Sequence, residues 1–206
     1  DTVIEADLML MAVGTRANSL GLEKLGLKMD RANIVTDEFL RTNIPGIYAI
    51  GDVNGKFMLA HVASHEGIIA VEHILGKAKH GMRYDRIPAC IYGSPEIASL
   101  GLTEREAKAK GLDYKVSKVP LAAVGKALAD GEKEGFIKLI VDKKYLEVLG
   151  VHIYAYNATE LISEYAVAQE LEGTAHEIAQ AIHPHPTLSE LSLEAALGAI
   201  DKAIHI

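Results

Sequence analysis

A histidine and a carboxylate five residues apart form the stretch of the sequence with the clearest chemistry. The stretch runs from His183 to Glu190 and reads HPHPTLSE. Pro186 fixes its own φ and disfavours the α region for His185, and Thr187 followed by Glu190 is a capping-box pattern. We therefore expect His185 just before a helix and Glu190 in its first turn. That carboxylate can orient one ring nitrogen while the other takes a proton from a substrate, which is the geometry of a general base.

Two plainer interpretations of this octet stay open at this point. Glu190 fits the reciprocal half of a capping box that has no part in catalysis. The pair His183 and His185 is also compatible with a stray metal site or with a turn.

The octet resembles the active-site motif of the dihydrolipoyl dehydrogenase branch of the flavin-dependent pyridine nucleotide-disulfide oxidoreductases. The resemblance implies that His185 handles the dithiol proton and that Glu190 orients it. It implies a parent flavoprotein that oxidises protein-bound dihydrolipoamide to lipoamide with NAD as acceptor, through FAD and a redox disulfide upstream of this chain. The implied partners are a second copy, whose flavin His185 would serve in a homodimer, and the lipoyl domains of 2-oxo acid dehydrogenase or glycine cleavage complexes.

A glycine and an aspartate after a short apolar run form a second candidate site. Pro45-Gly46 predicts a tight turn and residues 47–50 a buried strand, which delivers Gly51 and Asp52 at its end. The family resemblance implies that Asp52 holds the ribityl chain of FAD. The alternative is an aspartate that only caps a strand or a turn.

A helix is predicted from Val62 to about Leu75, with Gly76 as its C-terminal stop. Its start would aim backbone N–H groups and a partial positive charge at whatever lies before it. By the resemblance that object is the pyrimidine side of the flavin, which makes four residues flavin neighbours: Met58, Leu59, Ala60 and His61. Met58 and Leu59 as ordinary core residues are compatible with this interpretation, because the proposed contacts use the backbone.

The first sixteen residues predict a strand covered on both faces, because residues 8–13 are almost continuously apolar. In the family this stretch corresponds to the end of the nicotinamide-binding domain, where Gly14 would let the backbone approach NAD. An ordinary glycine between a strand and a turn is the alternative.

An α+β fold is predicted beyond a domain boundary between Gly81 and Pro88. Strands with antiparallel connections are combined with helices, two of which open with capping boxes. Thr103 to Glu106 opens one between the strands, and Thr174 to Glu177 opens one after them. The resemblance assigns residues 1–16 to the end of the nicotinamide domain, 17–85 to part of the FAD-binding and central region, and 86–206 to the interface (dimerisation) domain. Its last helix is predicted from Leu188 to about Ile200.

Net charge, the lengths of the apolar runs and the cysteine count exclude several classes of function. The 206 residues carry a net charge of −7, so nucleic acid is an unexpected partner, and no apolar run is long enough for a membrane span. We expect a soluble, cytoplasmic chain cut from a longer protein. Cys90 is the only cysteine and is expected in a buried strand, so no redox disulfide can form within the chain.

Both glycine fingerprints for the dinucleotides are also missing, and the fragment alone is expected to be inactive. Two alternative functions are a sister disulfide reductase of the glutathione type and a stand-alone dimerisation module without catalysis.

Overall fold

The computed structural model describes residues 2–206 and divides the chain into two compact units. The first unit extends to Arg83, and the second runs from Tyr84 to Ile206. Each unit has its own group of buried apolar residues.

The first unit contains little regular structure apart from one helix. It has a 3₁₀ helix at Glu23–Leu25, a short antiparallel pair of strands, β1 (Met29–Asp30) and β2 (Asn33–Ile34), a 3₁₀ turn at Gly51–Asn54, and helix α1 (Ala60–Ile74). Leu40, Ile69 and Ala70 form its small core. The predicted helix is confirmed, and Gly76 adopts a positive φ just past its end.

Two strand predictions in the first unit are wrong. Residues 2–16 form no strand, and their apolar side chains, such as Leu8 and Leu10, are exposed. An apolar run becomes a strand only when neighbouring strands satisfy its backbone groups, and neither sheet of the described residues includes it. Residues 47–50 likewise form only an isolated bridge between Tyr48 and Arg41.

The second unit is built on a five-stranded antiparallel sheet with the order β3-β4-β7-β6-β5. Its predicted strands are confirmed, because alternating burial and tight connections specify them. Their bounds are β3 (Ala89–Ile91), β4 (Glu96–Gly101), β5 (Tyr114–Pro120), β6 (Phe136–Asp142) and β7 (Val148–Ala155).

Five helices accompany this sheet: α2 (Glu104–Ala109), α3 (Gly125–Asp130), α4 (Ala158–Glu170), α5 (Ala175–Gln180) and α6 (Glu190–Ala199). Short 3₁₀ turns lie at Tyr84–Arg86 and Leu121–Ala123. Helix α4 packs on β4 and β7, and α6 packs on β5 and β6. The buried core between helices and sheet includes Leu139, Ile153, Ile162, Tyr165 and Leu191. The α+β architecture predicted for this part of the chain is confirmed.

Two of the predicted capping boxes are complete. Thr103 opens α2 with Glu106, and Thr174 opens α5 with Glu177. The last helix begins at Glu190 rather than at Leu188, because residues 187–189 form a turn instead of the first helical turn. Helix α3 has no counterpart in the sequence prediction. Cys90 lies in β3 as expected but is only partly buried, and burial raises the pKa of its thiol.

The turn between β6 and β7 supplies a pH-dependent stability prediction. The carboxylate of Asp142 accepts hydrogen bonds from the backbone N–H groups of Lys144 (2.9 Å), Tyr145 (3.0 Å) and Glu147 (2.8 Å). Burial acts to raise the pKa of Asp142, but these donors outweigh it, and the pKa lies below its usual value. The ionised form is therefore the one that the fold stabilises.

We expect Asp142→Asn to lower the free energy of unfolding at pH 7 by about 1 kcal/mol. The folded-state pKa is lowered, so this contribution is present above the ordinary aspartate pKa of about 3.9 and disappears as the pH falls through the folded value. Thermal unfolding followed by circular dichroism should therefore show a gap between variant and wild type that closes below about pH 4. Asp113→Asn, at an exposed ion pair, is the matched control. A gap independent of pH would contradict the assignment.

Candidate functional site

His185 and Glu190 meet at the start of α6. His185 Nδ1 lies 2.8 Å from Glu190 Oε1, which makes Nδ1 the donor to the carboxylate. The His185 side chain is 75% exposed and that of Glu190 is 19% exposed. The five-residue spacing therefore places the ring and the carboxylate in contact, as predicted.

The second oxygen of Glu190 belongs to the turn that precedes the helix. Glu190 Oε2 accepts the backbone N–H of Thr187 at 3.0 Å, which is one half of the predicted capping box. The other half, in which the Thr187 hydroxyl oxygen would accept the backbone N–H of Glu190, is not formed among the described residues. That hydroxyl donates to the Pro184 carbonyl at 2.7 Å and lies 2.7 Å from the Ser189 hydroxyl. The Thr187 N–H, then the hydrogen bond and charge of His185, hold the pKa of Glu190 below its usual value. The carboxylate is thus ionised where it orients the ring.

The two histidines of the octet differ in which nitrogens are occupied. His183 Nδ1 lies 3.0 Å from the Ala181 carbonyl oxygen, and its Nε2 lies 2.8 Å from Glu164 Oε1. His185 uses only Nδ1, and within the described part of the chain Nε2 has no hydrogen-bond partner. Only His185 can therefore exchange a proton with an incoming group through a ring nitrogen. Glu164 was not predicted, because it lies on α4, 19 residues before His183.

Gly51 and Asp52 lie in the 3₁₀ turn of the first unit, which is fastened to α1 by a buried carboxylate. Glu66 of α1 is fully buried, and it accepts the Gly51 backbone N–H at 2.6 Å and the Asn54 side-chain amide at 2.9 Å. Gly51 has φ +71°, and a Cβ there would lie 3.2 Å from Ala63 Cβ. A side chain is thus disfavoured at Gly51, while the side chain of Asp52 stays exposed. Glu66 was not predicted, since nothing in its local sequence pattern distinguishes it from a surface glutamate.

The start of α1 lies shortly after this turn. Leu59 is the N-cap with extended backbone, and among residues 2–206 no side chain caps the helix there. The first turn also lacks an acidic residue. An uncapped start carries N–H donors and a partial positive charge, which fits an electron-rich ligand group. Ala60 and His61 form its first two positions, and both are exposed.

Met58 and Gly14 are linked through one contact within the first unit. The Thr15 hydroxyl lies 3.0 Å from Met58 Sδ, one of the predicted flavin neighbours. Gly14 is the residue that immediately precedes Thr15. Gly14 has φ +107°, and nothing lies within 4 Å of the place where its Cβ would be. The backbone at Gly14 is therefore open to close approach.

Both parts of the chain match one family of enzymes. Residues 87–196 match the family described as pyridine nucleotide-disulphide oxidoreductase, dimerisation domain, and residues 1–67 match the one described as pyridine nucleotide-disulphide oxidoreductase. The chain therefore belongs to the pyridine nucleotide-disulphide oxidoreductase family. Membership implies a flavin and a nicotinamide cofactor, and the dimerisation domain indicates a homodimer in this family.

Within that family, several similar proteins are named dihydrolipoyl dehydrogenase. The chain is 50% identical over 202 residues to a dihydrolipoyl dehydrogenase of Bacillus subtilis, covering 97% of this chain and 43% of that protein. It is 43% identical over 208 residues to the mitochondrial dihydrolipoyl dehydrogenase of Pisum sativum, covering 100% of this chain and 41% of that protein. The chain thus spans about two fifths of the length of these relatives.

Two solved structures are similar to this chain over most of its length. LpdA from Mycobacterium tuberculosis superposes with a TM-score of 0.85 at 34% identity, covering 91% of this chain and 41% of that one. RclA from Escherichia coli, described as an HOCl-induced flavoprotein disulfide reductase, gives a TM-score of 0.81 at 26% identity, covering 90% and 43%.

Two observations bear on the compartment in which the protein resides. Among the helices of residues 2–206, none has both the length and the apolar composition needed to cross a bilayer. The named relatives include bacterial and mitochondrial proteins, so the cytoplasmic location stays a prediction.

The close fit of Gly51 against α1 gives a testable prediction. Gly51→Ala should lower the free energy of unfolding by about 1–2 kcal/mol for the positive φ alone, and further because its Cβ meets Ala63. Gly76→Ala is the matched control, since Gly76 has φ +67° with nothing within 4 Å of the added Cβ. Urea denaturation of both variants should show the larger loss for Gly51→Ala. Equal losses would mean that the contact with Ala63 has no energetic weight.

Proposed function

We propose that this chain is the C-terminal part of a flavoprotein that oxidises protein-bound dihydrolipoamide to lipoamide with NAD as acceptor, through FAD and a redox disulfide lying upstream. One observation carries the proposal: His185 is held through Nδ1 by Glu190 at 2.8 Å and leaves Nε2 exposed. Relatives named dihydrolipoyl dehydrogenase, at 43–50% identity over nearly the whole chain, favour this reaction over a glutathione-type reductase or a module without catalysis.

The proton balance defines what His185 has to do. Oxidising a dithiol to a disulfide releases two electrons and two protons, and the nicotinamide product retains one of these protons with both electrons. When bound, the flavin and the nicotinamide supply the two-electron transfer. In our proposal His185 Nε2 takes the proton of one thiol, which leaves a thiolate able to attack a disulfide sulfur.

Glu190 makes this proton transfer favourable. Its ionised carboxylate accepts the Nδ1–H of His185, which fixes the tautomer and stabilises the positive charge that the ring gains. The exposed ring can then return the proton to solvent, completing the cycle. Glu190 thus has both a structural part, through Thr187, and an orienting part, through His185.

The first unit has features that fit FAD. Asp52 offers an exposed carboxylate for hydroxyl groups of the ribityl chain, and Gly51 keeps the adjoining backbone bare. Residues 58–61 and the uncapped start of α1 offer N–H donors to the pyrimidine side of the ring. Gly14, with its open backbone, is proposed to lie against NAD.

The proposed partners follow from the same reaction. A homodimer is proposed from the dimerisation-domain match, with His185 of one copy serving the flavin and disulfide of the other. Lipoyl domains of 2-oxo acid dehydrogenase or glycine cleavage complexes are the proposed substrates, because their dithiol is what the relatives' name specifies. A cytoplasmic location is part of the proposal.

In the full-length protein, His185→Gln should lower dihydrolipoamide oxidation by at least about 100-fold, because it removes the group that takes the thiol proton. His176→Gln is the matched control, since His176 is exposed on α5. Steady-state NADH formation at saturating NAD is the measurement. Undiminished turnover in His185→Gln would rule out the acid/base role. Efficient reduction of glutathione disulfide by the wild type, without dihydrolipoamide oxidation, would favour the sister reductase.

Removing the carboxylate of Asp52 tests the flavin site separately. Asp52→Ala in the full-length protein should weaken FAD retention by about tenfold or more, since hydrogen bonds to a charged group contribute about 1.5–3 kcal/mol. Glu72→Ala removes an exposed carboxylate from the same unit and should leave retention unchanged. The check is FAD released on dilution, followed by its fluorescence. Equal retention in both variants would exclude Asp52 from the site.

A further inference from the structure

The segment that carries His185, residues 181–189 between α5 and α6, is attached near its beginning by the side chain of His183. His183 Nε2 lies 2.8 Å from Glu164 Oε1 on α4, and Nδ1 lies 3.0 Å from the Ala181 carbonyl oxygen. The side chain of His183 is only 6% exposed, whereas the neighbouring Ile182 is 99% exposed. The side chain of His183 is therefore a buried polar contact next to a fully exposed residue.

Both ring nitrogens of His183 have an oxygen within hydrogen-bond distance. Nδ1 faces the carbonyl oxygen of Ala181, and Nε2 faces the carboxyl group of Glu164. With both nitrogens engaged, His183 does not exchange protons with a substrate.

A second attachment point lies on the other side of His185. The Thr187 hydroxyl donates to the Pro184 carbonyl at 2.7 Å, and the Thr187 N–H donates to Glu190 at 3.0 Å. His185 therefore lies between two attachment points, the contact of His183 with Glu164 on α4 and the contact of Thr187 with Glu190 on α6. Displacement at either attachment point moves the imidazole relative to its reaction partner.

We propose that His183 is a positioning residue, a buried imidazole that works with Glu164 to fix the place of His185. The inference rests on the proposed function, because it concerns the placement of the proposed acid/base. It adds a role for the first histidine of the octet, and it links the site to α4, a helix without any other predicted site residue.

The test uses the full-length protein and separates position from binding. His183→Gln and Glu164→Gln should each lower kcat for dihydrolipoamide oxidation by about tenfold or more, since a misplacement of about 1 Å can cost about 100-fold. KM should change little, because neither side chain touches the substrate. The double variant should be no slower than the slower single variant, because both changes weaken the same contact between residues 183 and 164.

Substituting His183 with glutamine or with asparagine tests its contacts with Glu164 and with Ala181 separately. Glutamine places an N–H near the position of Nε2 and keeps a neutral bond to Glu164, whereas asparagine places one near Nδ1 and keeps only the bond to Ala181. We expect kcat to fall in the order wild type, His183→Gln, His183→Asn. His176→Gln controls for the substitution itself, and Ser163→Ala controls for a change on the exposed face of α4.

The outcomes distinguish this inference from the proposed function. Wild-type kcat in both His183→Gln and Glu164→Gln, with turnover lost in His185→Gln, would overturn the positioning role alone. Additive single effects, or a loss of kcat that only follows a loss of flavin content and unfolding midpoint, would overturn it too. If His183→Gln does not accumulate as a flavoprotein, Glu164→Gln provides the same comparison. Full turnover in His185→Gln would instead overturn the proposed function, and this inference with it.

Discussion

The carboxylate of Glu190, shared between a ring nitrogen and a backbone N–H, is the interaction on which the proposed site depends. Its two oxygens accept from His185 and from Thr187, at 2.8 and 3.0 Å. Both donors belong to the five residues before the helix, so the chain forms this arrangement locally. The rest of the second unit fixes where this segment lies. Glu164 on α4 contacts His183, and Leu191 on α6 is buried in the core.

A buried carboxylate organises the first unit by the same physical rule. A buried carboxyl group needs hydrogen-bond partners, and Glu66 obtains them from the backbone N–H of Gly51 and the side-chain amide of Asn54. The consequence differs from that at Glu190. Glu66 is fully buried and fixes the turn that presents Asp52, whereas Glu190 is partly exposed and bonds a ring that solvent can reach. In both units a helical glutamate determines where a preceding loop presents its functional groups.

Local rules predicted much of this structure, and contacts between distant residues account for what they missed. The capping boxes of α2 and α5, the alternating strands and the His185–Glu190 contact all depend on residues within a few positions of each other. The bond between His183 and Glu164 joins residues 19 apart and has no local signal. The strand predicted over residues 1–16 failed for a related reason, since an apolar run does not reveal whether a neighbouring strand is present.

The edges of the five-stranded sheet bear on how two copies can associate. One edge strand, β3, is only three residues long, and the other, β5, carries Lys115 and Lys118 and ends at Pro120, which has no N–H to donate. Short strands, lysines and prolines at sheet edges all hinder the addition of a foreign strand. We therefore expect association through side-chain faces rather than through a continuous intermolecular sheet, which also protects the domain against edge-to-edge aggregation.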